Sequence, residues 1–211
     1  MFGLTQPPLS DRLGGMKTTP QAGSMELPKP MVIDLRIGSM GEDARIERAT
    51  RTIGQMEHVF LDERARSLME AETQVYSVEC WRPVAEGTEG GLYWGSSTVY
   101  PGVVGEEYFM TRGHFHARRN RAEYYSTICG SGLLVLMDDQ RRASVQEMRP
   151  GTTHYIPNET AHRVVNTGDV PLRFLACWPS DAGHDYATID DRGFSVRVMR
   201  RGGHPEVVAQ P

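Results

Sequence analysis

Two histidines separated by one residue, His114 and His116 in GHFH, are the first place where this sequence could do chemistry. On a strand, side chains two apart share a face, so both imidazoles can aim at one point. Glu123 follows in AEYY, with Tyr125 on its face, and ARRNRA before it reads as a hairpin or short loop. Much later, PGTTHYIPNETAHRVVN supplies His162, on a strand that alternates with Val164 and Asn166. Three imidazoles and one carboxylate suit a divalent transition metal. Imidazole favours Zn, Fe, Ni and Cu, and the carboxylate keeps Mn and Fe(II) in the set. A lone strand histidine is usually a surface or satisfied residue. The pair, joined by the second segment, rises above that background.

Strands must position such a cluster, and from Gln74 onward the sequence supplies them. Short runs rich in Val, Tyr, Phe and Thr recur between Gly, Pro, Asp and Asn clusters: QVYSVECW, GLYWGSSTVY, EYFMTRGHFH, AEYYSTICG, GLLVLMDD, HYIPN, HRVVN, LRFLACW and FSVRVM. Many short strands punctuated by turns predict an all-β fold, a closed jelly-roll barrel. MVIDLRIG at 31–38 reads as a preceding strand. A helical stretch is expected over roughly 43–71, where Ile53, Met56, Val59 and Phe60 recur at helical spacing, with a break near Leu61. Residues 1–30, with Pro7, Pro8, Pro20, Pro28 and Pro30, read as a disordered extension. Residues 31–211 then form one domain, its core motifs at 98–186.

The whole chain narrows the function classes. At 211 residues it holds one ordinary domain plus appendages. A net charge of −4 gives no basic field for nucleic acid. No apolar run is long enough to span a membrane, and the N-terminus lacks a secretory pattern. Three scattered cysteines, Cys80, Cys129 and Cys177, fit reduced thiols, so a cytoplasmic location is expected.

The two histidine segments also carry a family likeness. H-x-H-x6-E, followed by Gly151, Pro157, His162 and Asn166 spaced G-x5-P-x4-H-x3-N, resembles the two-part signature of the cupin superfamily. Glu159 stands where many cupins have glycine, and six residues rather than three or four precede the glutamate. TVYPGVVGEEYFMTRGHFHARRNRAEYY and HRVVNTGDVPLRFLACWPSDAGHDY resemble the cupin-type glucose-6-phosphate isomerases more closely, the late A-G-H-D-Y being the most specific element. The likeness covers roughly residues 75–190.

That resemblance implies a metal-dependent, cytoplasmic homodimer that interconverts glucose 6-phosphate and fructose 6-phosphate. It assigns His114, His116, Glu123 and His162 to one divalent metal per chain, Fe2+ first, with Mn2+, Zn2+ or Ni2+ as alternatives. Thr111 and Gly113 fall at the substrate phosphate, with Ser97 and Thr98 near; Tyr125, His184 and Tyr186 line the sugar. Glu123 is the candidate base, assisted by Tyr125 or His184. Strand alternation sends Thr111 away from His114 and His116, so a bulge or bend is needed if it is to share their pocket. Trp178 stands where relatives commonly have Tyr. Arg118, Arg119 and Arg121 read as a solvated hairpin, Tyr76, Val78 and Cys80 as a core face, and Asn166 as a turn-holder. Two rival functions remain: a three-His, one-Glu dioxygenase, and a non-catalytic sugar-phosphate-binding cupin.

Overall fold

A computed structural model describes Leu27, Lys29 and residues 30–210. The chain separates into two units, residues 1–30 and 31–211. The expected N-terminal extension lies almost wholly outside the described residues. In the second unit, β1 (Ile33–Asp34) and β2 (Ser39–Met40) form a minimal hairpin. The run 31–38 is therefore not one strand. Asp34 accepts from the Arg36 backbone N–H at 2.9 Å and from its guanidinium, which turns the chain.

The expected helix over 43–71 is corrected more heavily. Residues Ile46–Thr52 form β3, paired antiparallel with β4 (Gln74–Trp81), and leave only a 3-10 turn at Ile53–Gln55 and the short α1 (Glu63–Ser67). Sheet pairing overrides weak local helical preference here. His58, at φ +62°, breaks any continuous helix, and Asp62 caps α1 by accepting from Ala65 N–H at 2.8 Å. The apolar spacing still marked buried residues: Ile53, Met56, Val59 and Phe60 all enter the core.

The remaining strands are β5 (Leu92–Val99), β6 (Val103–Val104), β7 (Glu107–Tyr108), β8 (Glu123–Cys129), β9 (Gly132–Met137), β10 (Ala143–Met148), β11 (Thr153–Ile156), β12 (Ala161–Asn166), β13 (Leu172–Pro179), β14 (Val196–Arg201) and β15 (His204–Ala209). A six-stranded sheet, ordered β11-β8-β13-β5-β4-β3, packs across the core from a three-stranded sheet, β10-β9-β12. A four-stranded sheet, β15-β14-β7-β6, completes an all-β fold that accords with the expected jelly roll. Tyr125, Phe174 and Val99 from one layer meet Leu134, Leu136 and Val164 from the other. A short helix not foreseen in the sequence, α2 (Ala187–Arg192), ends at Gly193, φ +65°.

Three details of this frame place the site. The segment 110–116 runs along β12, bridging Met110 to Val165 and His114 to His162, and so acts as a further strand of the smaller sheet. Asn166 holds the corner as expected: its side-chain amide donates to Val99 and Val170 carbonyls and its oxygen accepts from Gly168. Glu159 adopts φ +57°, a left-handed conformation that glycine reaches without steric cost, which explains the glycine common at this position.

Candidate active site

A cavity between the layers gathers most of the residues singled out in the sequence. It is lined by Ser97, Thr111, Gly113, His114, His116, Glu123, Tyr125, His162, His184 and Tyr186, together with Tyr76, Val78, Phe174, Ala176 and Trp178. Thr98 is the exception. Strand alternation turns it to the opposite face of β5, into a groove with Ser77, Ser96 and Arg173.

The histidines arrive from two adjacent strands. His114 and His162 form a bridged pair across the sheet, with backbone hydrogen bonds of 3.3 and 3.0 Å, so their rings emerge side by side, 4.4 Å between centroids. His116 joins them, and one nitrogen from each ring lies within 4.8 Å of the others. Glu123 comes from the facing sheet, at the start of β8. Its Oε2 stands 3.2 Å from Nε2 of both His116 and His162.

The protonation pattern asks for a cation. His116 Nδ1 lies 2.9 Å from the Arg121 carbonyl, which calls for a proton on Nδ1 and turns Nε2 to the cluster. There, against burial, Glu123 raises the ring above the usual histidine range and so favours a positive charge. His162 is 2% exposed, and among the described residues its ring nitrogens make no aligned hydrogen bond: Nδ1 has no partner and Nε2 faces Glu123 Oε2 off line. Burial alone would raise the Glu123 carboxyl, but the imidazoles of His116 and His162 beside it bring it below the ordinary carboxylate range. Burial, then the neighbouring imidazoles, hold His114 well below the usual histidine range, so it stays neutral. Buried lone pairs converging on a buried carboxylate are costly unless a positive charge sits among them. The donor set therefore fits a divalent cation, with His114, His116, His162 and Glu123 able to hold it.

The chain must break its alternation for Thr111 and His114 to share this cavity, and Gly113 does so. It adopts φ +76°, and a Cβ there would meet the Phe194 ring at 2.6 Å. Thr111 Oγ1 accepts from Val164 N–H at 3.0 Å, so its own proton is free to point elsewhere. On the far side of β12, Arg163 donates from Nε and Nη2 to the Arg112 carbonyl. Burial brings its guanidinium down to about 10, which leaves it charged at neutral pH.

His184 and Tyr186 reach the cavity because Asp185 pairs with Phe115, extending the sheet by one more segment. His184 sits 4.5 Å from the His114 ring, and Tyr186 stacks on it with the planes 6° apart. Burial lowers His184 and raises Tyr125 well above the usual phenol range, so both are neutral at pH 7. Tyr186 is also raised by burial, against the pull of Arg51 and Arg112. Arg112 stands 5.1 Å over the Tyr186 ring and pairs with Asp190.

Tyr76, Val78 and Trp178 belong to the wall, not merely to core packing. Val78 is register partner to Ser97 and Ser97 to Phe174, and in a neighbouring row Ala176 pairs with Tyr125, so one face of the six-stranded sheet lines the site. Only the register reveals this face. The Trp178 indole lies against Gly95, where a Cβ would meet it at 2.7 Å.

The arginine hairpin is not freely solvated. Arg118 and Arg121 both bind Asp181, and Arg119 binds Asp185 and covers the Phe115 ring at 3.7 Å. These pairs clamp loop 117–122 onto the segment that carries His184. Hydrogen bonding by Arg121 holds Asp181 at about 2. A carboxyl depressed in the folded state adds stability above its ordinary pKa and loses it as pH falls through the folded value. The clamp is thus expected to open between about pH 4 and pH 2. Asp181→Asn should reproduce the opening at pH 7, as faster amide hydrogen exchange across 117–122. Unchanged exchange in that variant would refute the clamp.

Among known proteins, residues 50–208 match the family described as Glucose-6-phosphate isomerase (GPI). The glucose-6-phosphate isomerase of Pyrococcus horikoshii is 44% identical over 170 residues, covering 78% of this chain and 87% of that one. The enzyme of the same name from Thermococcus kodakarensis is 39% identical over 188 residues, covering 89% of this chain and 98% of that one. Of solved structures, a mutant of Bacillus subtilis oxalate decarboxylase aligns with 57% of this chain and 30% of its own length, at 23% identity and a TM-score of 0.41. The chain belongs to the glucose-6-phosphate isomerase family.

Proposed function

We propose that this protein is a metal-dependent aldose–ketose isomerase that interconverts glucose 6-phosphate and fructose 6-phosphate in the cavity between the two sheets. One observation carries the reading: a buried carboxylate places its oxygen beside two imidazoles in a cavity that Ser97 and Thr111 also line with hydroxyls. The substrate phosphate lies at Thr111 and Gly113, with Ser97 near. The sugar extends past Tyr186 and His184, so that C1 and C2 come to Glu123. Thr111 donates its hydroxyl proton and Gly113 its N–H to phosphate oxygens.

A divalent cation held by His114, His116, His162 and Glu123 supplies Lewis acidity toward the carbonyl end. Fe2+ is our first assignment; Mn2+, Zn2+ and Ni2+ suit the same donors. Glu123, ionised, takes the proton from C2 and returns it at C1. Tyr125 and neutral His184 hold the oxygens of the cis-enediol between those steps. Trp178 closes the wall with an apolar surface and brings no hydroxyl.

The enzyme acts as a cytoplasmic homodimer. Its three cysteines are free thiols, and among the described residues no helix is long and apolar enough to cross a membrane. Among the described residues β3 ends the six-stranded sheet with no strand on its outer edge, and pairing across a two-fold axis would cover such an edge. Light scattering at micromolar concentration should give twice the chain mass; a single-chain mass would overturn the dimer. Chelation should abolish conversion of fructose 6-phosphate in a coupled assay, and reloading with Fe2+, Mn2+, Ni2+ or Zn2+ should restore it. Oxygen uptake in place of isomerisation would favour a dioxygenase. Tight fructose 6-phosphate binding without turnover in metal-loaded protein would favour a binding protein.

A further inference from the structure

Arg163 follows His162 on β12, and strand alternation sends its side chain to the face away from the cavity. The residue is 5% exposed, its guanidinium lies 4.4 Å from the Phe194 ring centroid, and among the described residues it forms no ion pair. Glu107 and Asp190 attract it only from beyond contact, and a buried cation with no anion in contact is costly where an apolar side chain of similar volume would fill the space at lower cost. Its charge goes instead to one backbone atom. Nε and Nη2 donate to the Arg112 carbonyl at 3.2 and 2.5 Å.

That carbonyl is one end of the Arg112–Gly113 peptide. None of the described peptides is cis, and in a trans peptide C=O and N–H point opposite ways. With the carbonyl fixed toward Arg163, the Gly113 N–H points toward the cavity that Gly113 lines, and among the described residues it finds no acceptor. A cation at the oxygen draws electron density along the amide and makes the N–H a stronger donor. Gly113 itself cannot be replaced without strain, given φ +76° and the Phe194 ring.

We infer that Arg163 is a positioning residue for phosphate recognition: through the Arg112–Gly113 peptide it aims and polarises the Gly113 N–H that receives the substrate phosphate. It acts on phosphate from outside the cavity, without touching it. The inference rests on the phosphate location proposed above, and the test keeps the two apart.

Zinc-loaded, diamagnetic holoenzyme is titrated with inorganic phosphate, following the Gly113 amide by NMR and the affinity by competition with fructose 6-phosphate. In the natural protein the Gly113 proton is expected to move downfield, among the largest shifts observed. R163M should bind phosphate about tenfold or more weakly, and R163K, which keeps a charge but not the two-pronged fork, should fall between. KM for fructose 6-phosphate should rise in the same order while kcat and zinc content change little. A merely structural role would move thermal stability without ordering KM this way. If the natural protein shows neither phosphate binding nor a Gly113 shift, the phosphate location itself is wrong, and the inference falls with it. If it shows both, but R163K and any folded R163M bind phosphate as tightly, only the role of Arg163 is overturned.

Discussion

Alanine at His162 is expected to strip the protein of metal and of nearly all its turnover. His162 enters from the central position of the cluster, bridged to His114 through the backbone and 3.2 Å from Glu123. Removing it leaves two imidazoles and one carboxylate, and affinity should fall by more than the roughly 10- to 100-fold that loss of a supporting partner alone costs. Stability helps to separate ligation from packing. Truncating a buried ring costs about 3 kcal/mol through the space it leaves, and it also takes one of two neighbouring imidazoles from the buried Glu123 carboxylate. In metal-free protein both act in the same direction, so His162→Ala should melt below the natural apoprotein. The stabilisation that added metal gives the natural protein should be missing from the variant, since a ligand that binds only the folded state raises stability with its occupancy. Metal per chain after dialysis and the melting shift on metal addition check both halves. Full occupancy with unchanged affinity would sink the ligand assignment.

The same cluster was the most legible part of the molecule. Residues two apart on a strand must share a face, and that rule alone joined His114 to His116; spacing added Glu123 and His162. The strand rich stretch from Gln74 likewise became an all-β fold, because β-branched and aromatic runs between turn residues leave little else to form. What stayed hidden depends on partners distant in sequence. IERATRT became β3 because β4 lies beside it, a pairing that no local pattern in 43–71 announces. Tyr76 and Trp178 line the cavity through the register of β4, β5 and β13, so they read as ordinary packing in isolation. Thr98 failed for the complementary reason: its type suited phosphate, but the pleat carries it out of the cavity while Ser97 stays in. The arginines of 117–122 found their anions at Asp181 and Asp185, some 60 residues away in sequence. Local chemistry can be read from the chain; which face a side chain takes requires the register.

Glutamine at Glu123 should lower turnover by roughly 10²-fold or more, the usual contribution of a general base, while leaving most of the metal in place. The substitution keeps the side chain's shape and one carbonyl oxygen, and removes the charge and the basic oxygen. Three imidazoles remain to hold the cation. The tension is that Glu123 has two demands on it. Its Oε2 lies between His116 and His162, and the two imidazoles already hold its carboxyl below the ordinary range. A carboxylate that also donates to a cation is a poorer base still. Turnover and metal content therefore have to be measured together. If ligation is what matters, activity and metal are lost in proportion, and excess metal restores the rate. If proton transfer is what matters, the metal-loaded variant remains slow. The fate of hydrogen at C2 gives an independent answer. Proton removal through a cis-enediol lets solvent deuterium enter the product, whereas direct transfer of hydride from C2 to C1 retains the original atom. We expect deuterium in the product of the natural enzyme and a metal-loaded Glu123→Gln variant that stays at least about 10²-fold slow. Near-natural turnover in that variant, with no deuterium incorporated, would remove Glu123 from the chemistry and leave it a ligand only.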